Sequence, residues 1–247
     1  MELSSEERLR QRVEHYNSKT GDLTGYDCPK CLNKGHSFAV VNGYETYITC
    51  ECMEIRRNVR LINESGLKDM MEENTFSSYK AVEPWQKYVL ETAKAYAEDP
   101  QGLWFVICGQ SGAGKTHLCT AIVGSLLQKG IETKYCLWID ESKHLKSIAN
   151  DPEYAKEIAV YKKVPCLYID DLFKTKDGVP VTGPDVTLAF EIINYRRNNK
   201  LITIISSEKT SQELIAIDQA TGGRIVQMAQ NYLIDIAPDQ KKNYRLK

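Results

Sequence analysis

The chain has 247 residues, of which 42% are hydrophobic, so it can bury a core in one large domain or two smaller ones. Its 32 Lys and Arg residues are matched by 33 Asp and Glu residues, and this balance excludes a strong global attraction to nucleic acid. No apolar segment is long enough to span a membrane and no signal peptide is recognised, so we expect a cytoplasmic protein with neither disulfides nor a membrane partner.

The first predicted elements are a charged helix and a β-hairpin. Residues 3–20 intersperse acidic and basic side chains, which is typical of a helix with a solvated face. Asn42-Gly43 then separates two short runs, residues 37–41 and 45–49, that have the composition of strands. Asn-Gly is a strong signal for a type I′ turn, so we predict a hairpin at this position.

Four cysteines are clustered on either side of this hairpin. Cys28 and Cys31 form a C-x₂-C motif, and Cys50 and Cys52 form a C-x-C pair. Four thiolates from two turns suit tetrahedral Zn²⁺ without an open position, which predicts a structural zinc site. Two alternatives stay open: His36 could replace one thiolate, or the thiols could be unpaired or redox-active. The remaining cysteines lie in apolar segments and are interpreted as small buried hydrophobes: Cys108, Cys119, Cys136 and Cys166.

The chain divides into three predicted parts. The charged helix and the cysteine module make up residues 1–53, a small zinc-binding domain. Residues 54–74 are polar and helix-prone, which favours a helical linker. Residues 75–247 hold the remaining motifs and are predicted to form a nucleotide-binding domain, with an early helix over residues 85–97.

A complete phosphate-loop motif, G-x-x-x-x-G-K-[ST], follows this helix. Its residues are Gly109, Gln110, Ser111, Gly112, Ala113, Gly114, Lys115 and Thr116. The apolar run 103–108 precedes the motif and a helical segment, 115–127, follows it, so a buried parallel strand should deliver the loop to a helix N-terminus. Backbone N–H groups and Lys115 would then bind the phosphates of ATP, and the Thr116 hydroxyl would bind Mg²⁺. The alternative is a glycine-rich turn that binds no ligand.

A second apolar strand, residues 165–169, ends in the paired acids Asp170 and Asp171. In a parallel sheet the carboxyl ends of the strands form the ligand crevice, so these carboxylates should face the phosphates. We expect Asp170 to hold Mg²⁺, directly or through water, and Asp171 to orient or deprotonate the attacking water. The alternative is a solvated strand end, since Asp-Asp pairs are common in turns.

The remaining elements alternate between strands and helices. The expected strands are residues 133–139, 201–207 and 231–236, and the expected helices are residues 140–149, 153–161, 183–197 and one that begins at Gly222. Together with the two apolar strands they predict a doubly wound α/β core, a five-stranded parallel sheet flanked by helices. For Arg196, near the end of one of these helices, a nucleotide or subunit-interface role and a simple interaction with the helix dipole stay equally open.

Several motifs occur in a family-specific order over residues 75–247. They are the phosphate loop, Tyr-Ile-Asp-Asp-Leu at 168–172, Ile-Ile-Ser-Ser at 204–207, Gly-Arg-Ile at 223–225 and Asn-Tyr-Arg at 243–245. In this order they resemble the AAA+ ATPases of the DnaC/DnaI helicase-loader and IstB group. The cysteine module resembles the N-terminal zinc domain of loaders from Gram-positive bacteria and their phages, which docks on the replicative helicase. IstB-type transposition ATPases usually lack it.

The resemblance implies ATP hydrolysis at the phosphate-loop site. Asp170 and Asp171 correspond to the family's acidic strand motif, and Ser207 or Glu208 corresponds to a position that senses the γ-phosphate. Many members have Thr-Ser-Asn where this chain has Ser-Ser-Glu at residues 206–208, so an acid replaces an amide. This departure leaves γ-phosphate sensing and turnover open.

The resemblance also implies assembly on DNA. Arg224 corresponds to an arginine finger that acts on a neighbouring subunit, which requires self-association through the ATPase domain, and Arg245 corresponds to a second, sensor-like arginine. The implied partners are the hexameric replicative helicase and single-stranded DNA, and Tyr244 beside Arg245 suits stacking on bases or contact with phosphates. We therefore expect an ATP-dependent helicase loader. An IstB-like transposition ATPase and a nucleotide-gated adaptor with little turnover are the alternatives.

Overall fold

Two compact units make up the chain, Met1–Asn63 and Glu64–Lys247. The computed structural model describes residues 4–175 and 179–244. Within these ranges, none of the helices is both long and apolar enough to cross a bilayer.

The first unit contains a helix and a β-hairpin. Helix α1 (Ser5–Asn17) precedes strands β1 (His36–Val41) and β2 (Tyr44–Thr49), which pair antiparallel. Asn42 and Gly43 have positive φ angles of 52° and 79°, the conformation of a type I′ turn. The predicted hairpin and its turn are therefore confirmed.

Helix α1 is fixed to the hairpin by its last residues. The Asn17 side chain pairs with the backbone of Phe38 by donating to its carbonyl oxygen (2.8 Å) and accepting from its N–H (3.0 Å). The Tyr16 ring packs edge-on against the Phe38 ring, with 4.9 Å between their centroids. Helix α2 (Cys52–Glu64) then follows the hairpin and begins inside the cysteine module.

The second unit alternates between helices and strands. Its elements are α3 (Lys68–Glu73), α4 (Pro84–Glu98), β3 (Trp104–Gly109), α5 (Lys115–Gln128), β4 (Thr133–Leu137), α6 (Trp138–Ser147), α7 (Tyr154–Lys163), β5 (Cys166–Asp170), α8 (Gly183–Asn198), β6 (Ile202–Ser207), α9 (Ser211–Ile217), α10 (Gln219–Ala229) and β7 (Leu233–Ile236). Two short 3₁₀-helices, Gln230–Tyr232 and Gln240–Lys242, precede and follow β7.

The five strands of this unit form one parallel sheet in the order β4-β5-β6-β3-β7. This arrangement confirms the predicted α/β core. Strand β3 lies between β6 and β7, and β5 pairs with the other edge of β6. Every residue of β3 and β5 is buried. Because the strands are parallel, their carboxyl ends meet at one edge of the sheet, where the phosphate loop and the paired acids come together.

The C-terminal helices differ from the sequence prediction. Helix α9 was not predicted, although Thr210 and Glu213 form a capping box at its start. Helix α10 begins at Gln219 instead of Gly222, because the Asp218 side chain caps it by accepting a backbone N–H bond in its first turn.

Arg196 is a structural residue. It lies at the amino ends of β5 and β6, away from the edge of the sheet where the phosphate loop lies. Its buried guanidinium donates to the carbonyl oxygens of Val164 (2.9 Å), Tyr161 (3.0 Å) and Ile202, and to the Thr203 hydroxyl (3.0 Å). Burial lowers the pKa of this group to about 10, so it stays charged at neutral pH. Of the two roles left open for Arg196, this burial contradicts the nucleotide or subunit-interface role: Arg196 joins the end of α7 to the beginnings of β5 and β6.

Candidate nucleotide site and metal centre

The phosphate loop connects β3 to α5, as predicted. Gly109 has a φ angle of 128°, and a Cβ atom there would collide with the carbonyl oxygen of Ile236 in the neighbouring strand, so this position requires glycine. The Lys115 ammonium donates to the carbonyl oxygens of Gly109 (2.7 Å) and Gln110 (2.9 Å). Burial lowers the pKa of Lys115, and nearby carboxylates oppose this shift. The loop thus holds a cation where a phosphate chain would bind.

Asp170 is buried and accepts hydrogen bonds from the hydroxyl groups of three residues. They belong to Tyr135 (3.0 Å), Thr116 (3.3 Å) and Ser206. The structure thus brings together Thr116 and Asp170, the two residues that we expected to hold Mg²⁺. A hydroxyl and a carboxylate are ligands that this hard cation prefers, so the donor set fits Mg²⁺. Tyr135 and Ser206 fix the orientation of the carboxylate.

Lys174 lies between two carboxylates at the same edge of the sheet. Its Nζ atom is 2.8 Å from Asp171 and 3.0 Å from Glu208. Asp171 directly follows β5 and Glu208 directly follows β6, and these strands are neighbours in the sheet. Asp171 is thus close to the phosphate loop, as predicted, but it is paired with a cation. Its role in orienting water stays a prediction.

A cavity of about 380 Å³ lies over the phosphate loop, within the size range of small-molecule sites. Its walls come from four parts of the second unit: the phosphate loop, residues 78–80, the Lys174 group with its two acids, and Tyr244. The cavity therefore has a charged end, formed by the strand termini, and an aromatic side.

Two tyrosines form the aromatic side of this cavity. The Tyr79 ring packs edge-on against His117 (5.3 Å between centroids) and against Tyr244 (6.3 Å). The Tyr244 N–H donates to the Gly112 carbonyl oxygen (2.9 Å), and its hydroxyl donates to the Lys80 carbonyl oxygen (2.9 Å). Tyr244 is therefore placed against the phosphate loop, where an aromatic wall suits a purine base.

Of the two residues considered for the sensor position, Glu208 lines the cavity and Ser207 does not. Ser207 is buried; its hydroxyl donates to the Leu172 carbonyl oxygen (2.8 Å) and accepts from the Lys209 N–H (3.1 Å). The side chain that reaches Asp170 from this strand is the preceding serine, Ser206. A direct role of Ser207 at the γ-phosphate stays a prediction, and these contacts do not favour it.

Arg224 packs helix α10 against α8. Its Nε atom donates to Asn194 (3.1 Å), one terminal amino group donates to the Ala220 carbonyl oxygen (2.7 Å), and its guanidinium lies 4.9 Å from the centroid of the Phe190 ring. It does not line the cavity of its own chain. The arginine-finger role therefore stays a prediction, and Arg245 lies outside the described residues.

Four residues around the site were not selected from the sequence: Tyr79, Tyr135, Lys174 and Ser206. A signal was available for Lys174, because it follows Asp171 by three positions in a loop at the carboxyl end of a strand. Ser206 could have been selected on the same ground, because it also lies at the carboxyl end of a strand, directly before Ser207. The two tyrosines reach the site from other elements, and no local motif marks them.

The four clustered cysteines of the first unit converge as predicted. Their Sγ atoms all lie within 4.8 Å of one another, with 3.7 Å between Cys28 and Cys50 and 3.5 Å between Cys31 and Cys52. Tetrahedral Zn²⁺ with Zn–S bonds of about 2.3 Å requires S···S distances of roughly 3.8 Å, so the arrangement fits this metal. His36 stacks on another aromatic ring, that of Tyr47 (4.8 Å), and is not part of the cluster.

The other four cysteines are core residues, which confirms their interpretation as buried hydrophobes. They are Cys108, Cys119, Cys136 and Cys166. Burial raises the pKa of the Cys166 thiol to about 11 and that of Cys108 to about 12, so these thiols are protonated and unreactive at neutral pH.

Comparisons with known proteins agree with this geometry. Residues 50–221 match the model of a family described as IstB-like ATP binding protein. The chain is 34% identical to the uncharacterized protein YqaM of Bacillus subtilis (strain 168), over 80% of its own length and 66% of YqaM. It is 30% identical to the phage-like element PBSX protein XkdC of the same organism, over 87% of its own length and 84% of XkdC. The fold is similar to a crystal structure of the DnaC helicase loader, with a TM-score of 0.57, 23% identity, and coverage of 68% of this chain and 99% of that one.

Proposed function

This chain belongs to the family of IstB-like ATP-binding proteins, which have an AAA+ fold, and we propose that it is an ATP-dependent loader of the replicative DNA helicase onto single-stranded DNA. The observation that carries the proposal is a pairing of two sites in one chain. A phosphate loop and an aromatic wall line a cavity in the second unit, where Thr116 of the loop donates to the buried Asp170, and four convergent cysteines lie in the first unit. Such a chain can couple a nucleotide state to a separate binding module.

In the proposed site, backbone N–H groups of the loop and Lys115 bind the phosphates of ATP. Thr116 and Asp170 hold Mg²⁺, which supplies positive charge beside the phosphates when it is bound. Asp171 orients the attacking water and accepts its proton, while Tyr79 packs on the base. Release of the terminal phosphate after hydrolysis then changes the charge in the cavity.

The first unit is the proposed helicase-binding part. Zn²⁺ held by the cysteine cluster would fix the ends of the hairpin, because so small a module gains most of its folding free energy from the metal. Support for a loader also comes from the relatives: the DnaC structure is that of a helicase loader, and XkdC belongs to a phage-like element. Self-association would place Arg224 of one subunit at the ATP of the next.

Co-purification with a replicative helicase tests the proposal directly. The tagged full chain is mixed with the replicative helicase of Bacillus subtilis, the organism of two relatives, in the presence of ATP, ADP or no nucleotide. We expect a complex with the wild type and loss of the complex with Cys28→Ser. If neither nucleotide state gives a helicase complex, and the chain instead binds a transposase of the IstB-associated kind, the transposition-helper function replaces this one.

A second candidate function, a nucleotide-gated adaptor with little turnover, is favoured by one observation. Lys174 forms an ion pair with Asp171, the proposed water-orienting acid, and so neutralises its charge. A steady-state ATPase assay separates the two functions. A loader with turnover should lose hydrolysis in Asp171→Asn while it keeps ATP bound. Equal, background-level hydrolysis in wild type and Asp171→Asn would favour the adaptor.

A further inference from the structure

The loop after β5 brings Lys174 back to the edge of the sheet. Asp171 and Phe173 both have positive φ angles, 57° and 60°, so the chain turns sharply twice within this short segment. The Leu172 N–H donates to the Ser206 carbonyl oxygen (2.9 Å), which ties the turn to β6. Leu172 and Phe173 are also buried. The backbone of Lys174 is therefore fixed by packing and hydrogen bonds, independently of its charge.

The Lys174 ammonium is shared by two carboxylates, those of Asp171 and Glu208. Burial lowers the pKa of Lys174, but its hydrogen bonds to both acids outweigh burial and raise the pKa above its ordinary value. Burial raises the pKa of Glu208, but Lys174 and Lys115, together with a hydrogen bond to Ser111, bring it below its ordinary value. Lys174 and Glu208 are thus both charged at neutral pH.

This charge arrangement matters for a phosphate ligand. Glu208 lines the cavity and its side chain contacts Ser111 of the phosphate loop, so its carboxylate lies close to where a phosphate chain would bind. Alone, it would repel that chain. Lys174 also lines the cavity, and two of its three ammonium N–H donors suffice for the two carboxylates. The third donor can bind a phosphate oxygen.

We propose that Lys174 binds the γ-phosphate of ATP and that Glu208 positions it. This inference rests on the proposed nucleotide site and adds the group by which the site distinguishes ATP from ADP. The loop amides contact phosphates that both nucleotides carry, and Lys115 would contact the β-phosphate as well as the γ-phosphate. Lys174 would contact the γ-phosphate alone.

Equilibrium binding of ADP and of a non-hydrolysable ATP analogue to the full chain in Mg²⁺ tests this assignment. The wild type should bind the analogue more tightly than ADP. Lys174→Ala should weaken analogue binding about tenfold or more, the effect of one charge-assisted hydrogen bond, and change ADP binding by about twofold at most. Lys174→Arg should keep part of the preference for the ATP analogue over ADP. Unchanged ADP affinity also shows that the variant is folded.

Lys209→Ala is the matched control. It removes the same charge from a nearby lysine whose side chain lines a different cavity, so both affinities should stay at wild-type values. If Lys174→Ala keeps the wild-type ratio of the two affinities, or loses both nucleotides equally, Lys174 does not bind the γ-phosphate. A wild type that binds neither nucleotide contradicts the proposed function itself, which is a separate result.

The part played by Glu208 is tested in the Lys174→Ala background. Without the lysine, the Glu208 carboxylate repels the γ-phosphate, so adding Glu208→Gln should restore analogue affinity by about threefold or more, with ADP affinity little changed. A double variant that binds the analogue no better than Lys174→Ala would show that Glu208 is not the charge that Lys174 offsets.

Discussion

At the scale of single residues, the phosphate loop holds Lys115 in place, and loop and lysine would bind the same phosphates. Its ammonium donates to two carbonyl oxygens of the phosphate loop, those of Gly109 and Gln110. These contacts keep the charge inside a buried site, where its interaction with an anion is stronger than at the surface. Phosphate oxygens would form charge-assisted hydrogen bonds with this ammonium. These bonds are stronger than its hydrogen bonds to the carbonyl oxygens.

Lys115→Ala should therefore weaken ATP binding by about a hundredfold or more, since each hydrogen bond to a charged group contributes about 1.5–3 kcal/mol. Calorimetric titration with ATP and Mg²⁺ measures this loss. Lys94→Ala is the control, because Lys94 forms an exposed ion pair with Glu91 and does not line the cavity. ATP affinity in Lys115→Ala equal to that of Lys94→Ala would mean that the loop is a turn without a ligand.

The residues that could be predicted from the sequence are those whose position follows from a local motif. Lys115, Thr116 and Asp170 belong to a loop or strand end whose backbone geometry is set by neighbours in the chain. Tyr135 was not selected, and Tyr244 was selected for contact with DNA and not for a place at this cavity. Their hydrogen bonds join residues 35 and 164 positions apart in the chain, Tyr135 to Asp170 and Tyr244 to Lys80. Such contacts depend on strand order, which no local pattern encodes.

At the scale of elements, Arg196 donates hydrogen bonds to several backbone carbonyl oxygens at the ends of helices and strands. Arg196→Met should destabilise the second unit by at least about 2 kcal/mol, because buried carbonyl oxygens that now accept from the guanidinium lose their donor. Arg197→Met on the same helix should cost less than about 1 kcal/mol, since its partners are side chains at the surface. Thermal or urea unfolding of the two variants compares them. Equal stabilities would contradict the structural role given to Arg196.

The cysteine cluster makes a prediction for the hairpin unit. Purified protein should carry one Zn²⁺ per chain, and chelation or Cys28→Ser should remove the metal and unfold the hairpin region. Nucleotide affinity should be unchanged, because the cavity is lined by residues of the second unit. Metal content by mass spectrometry and ATP titration give the two readouts. Cys136→Ala, which removes a thiol outside the cluster, should keep its zinc; a zinc-free wild type would refute the metal centre.

Elements with strong local signals were predicted well, and those governed by tertiary contacts were not. The Asn-Gly turn specifies its hairpin through two positive φ angles that few other residues accept. Strand β4 was expected to extend to Ile139, but it ends at Leu137 because helix α6 begins at Trp138. The Trp138 ring packs edge-on against Phe173, with 5.7 Å between centroids, and that contact joins distant parts of the chain. Tertiary packing overrode the β propensity of the segment.

At the scale of the whole molecule, Arg224 predicts that hydrolysis depends on assembly. Lys115 already offsets the negative charge of bound ATP, so a further cation is needed mainly in the transition state of hydrolysis. Arg224→Ala should bind ATP within about twofold of wild type and lose most hydrolysis or ATP-dependent self-association. Arg197→Ala, which removes an arginine from the neighbouring helix, serves as the control. Phosphate release and light scattering measure the two effects.

Mixing Arg224→Ala with Lys115→Ala tests whether the arginine acts on a neighbour. One protein then offers an intact phosphate loop and the other an intact arginine, so part of the hydrolysis should return. If the mixture stays inactive although the two proteins assemble together, Arg224 does not act across subunits.

The strand order has a consequence for synthesis on the ribosome. Strand β3 is wholly buried in the finished sheet, yet both of its partners, β6 and β7, are encoded far downstream and begin at Ile202 and Leu233. At about 5–20 residues per second, β3 waits roughly 5–20 seconds after its own translation before the first partner is made. During that time an apolar strand has two unpaired edges, which are prone to pair with other chains. The strand that carries the phosphate loop is thus among the first parts of its sheet to be translated, but it can pair only with strands that are translated last.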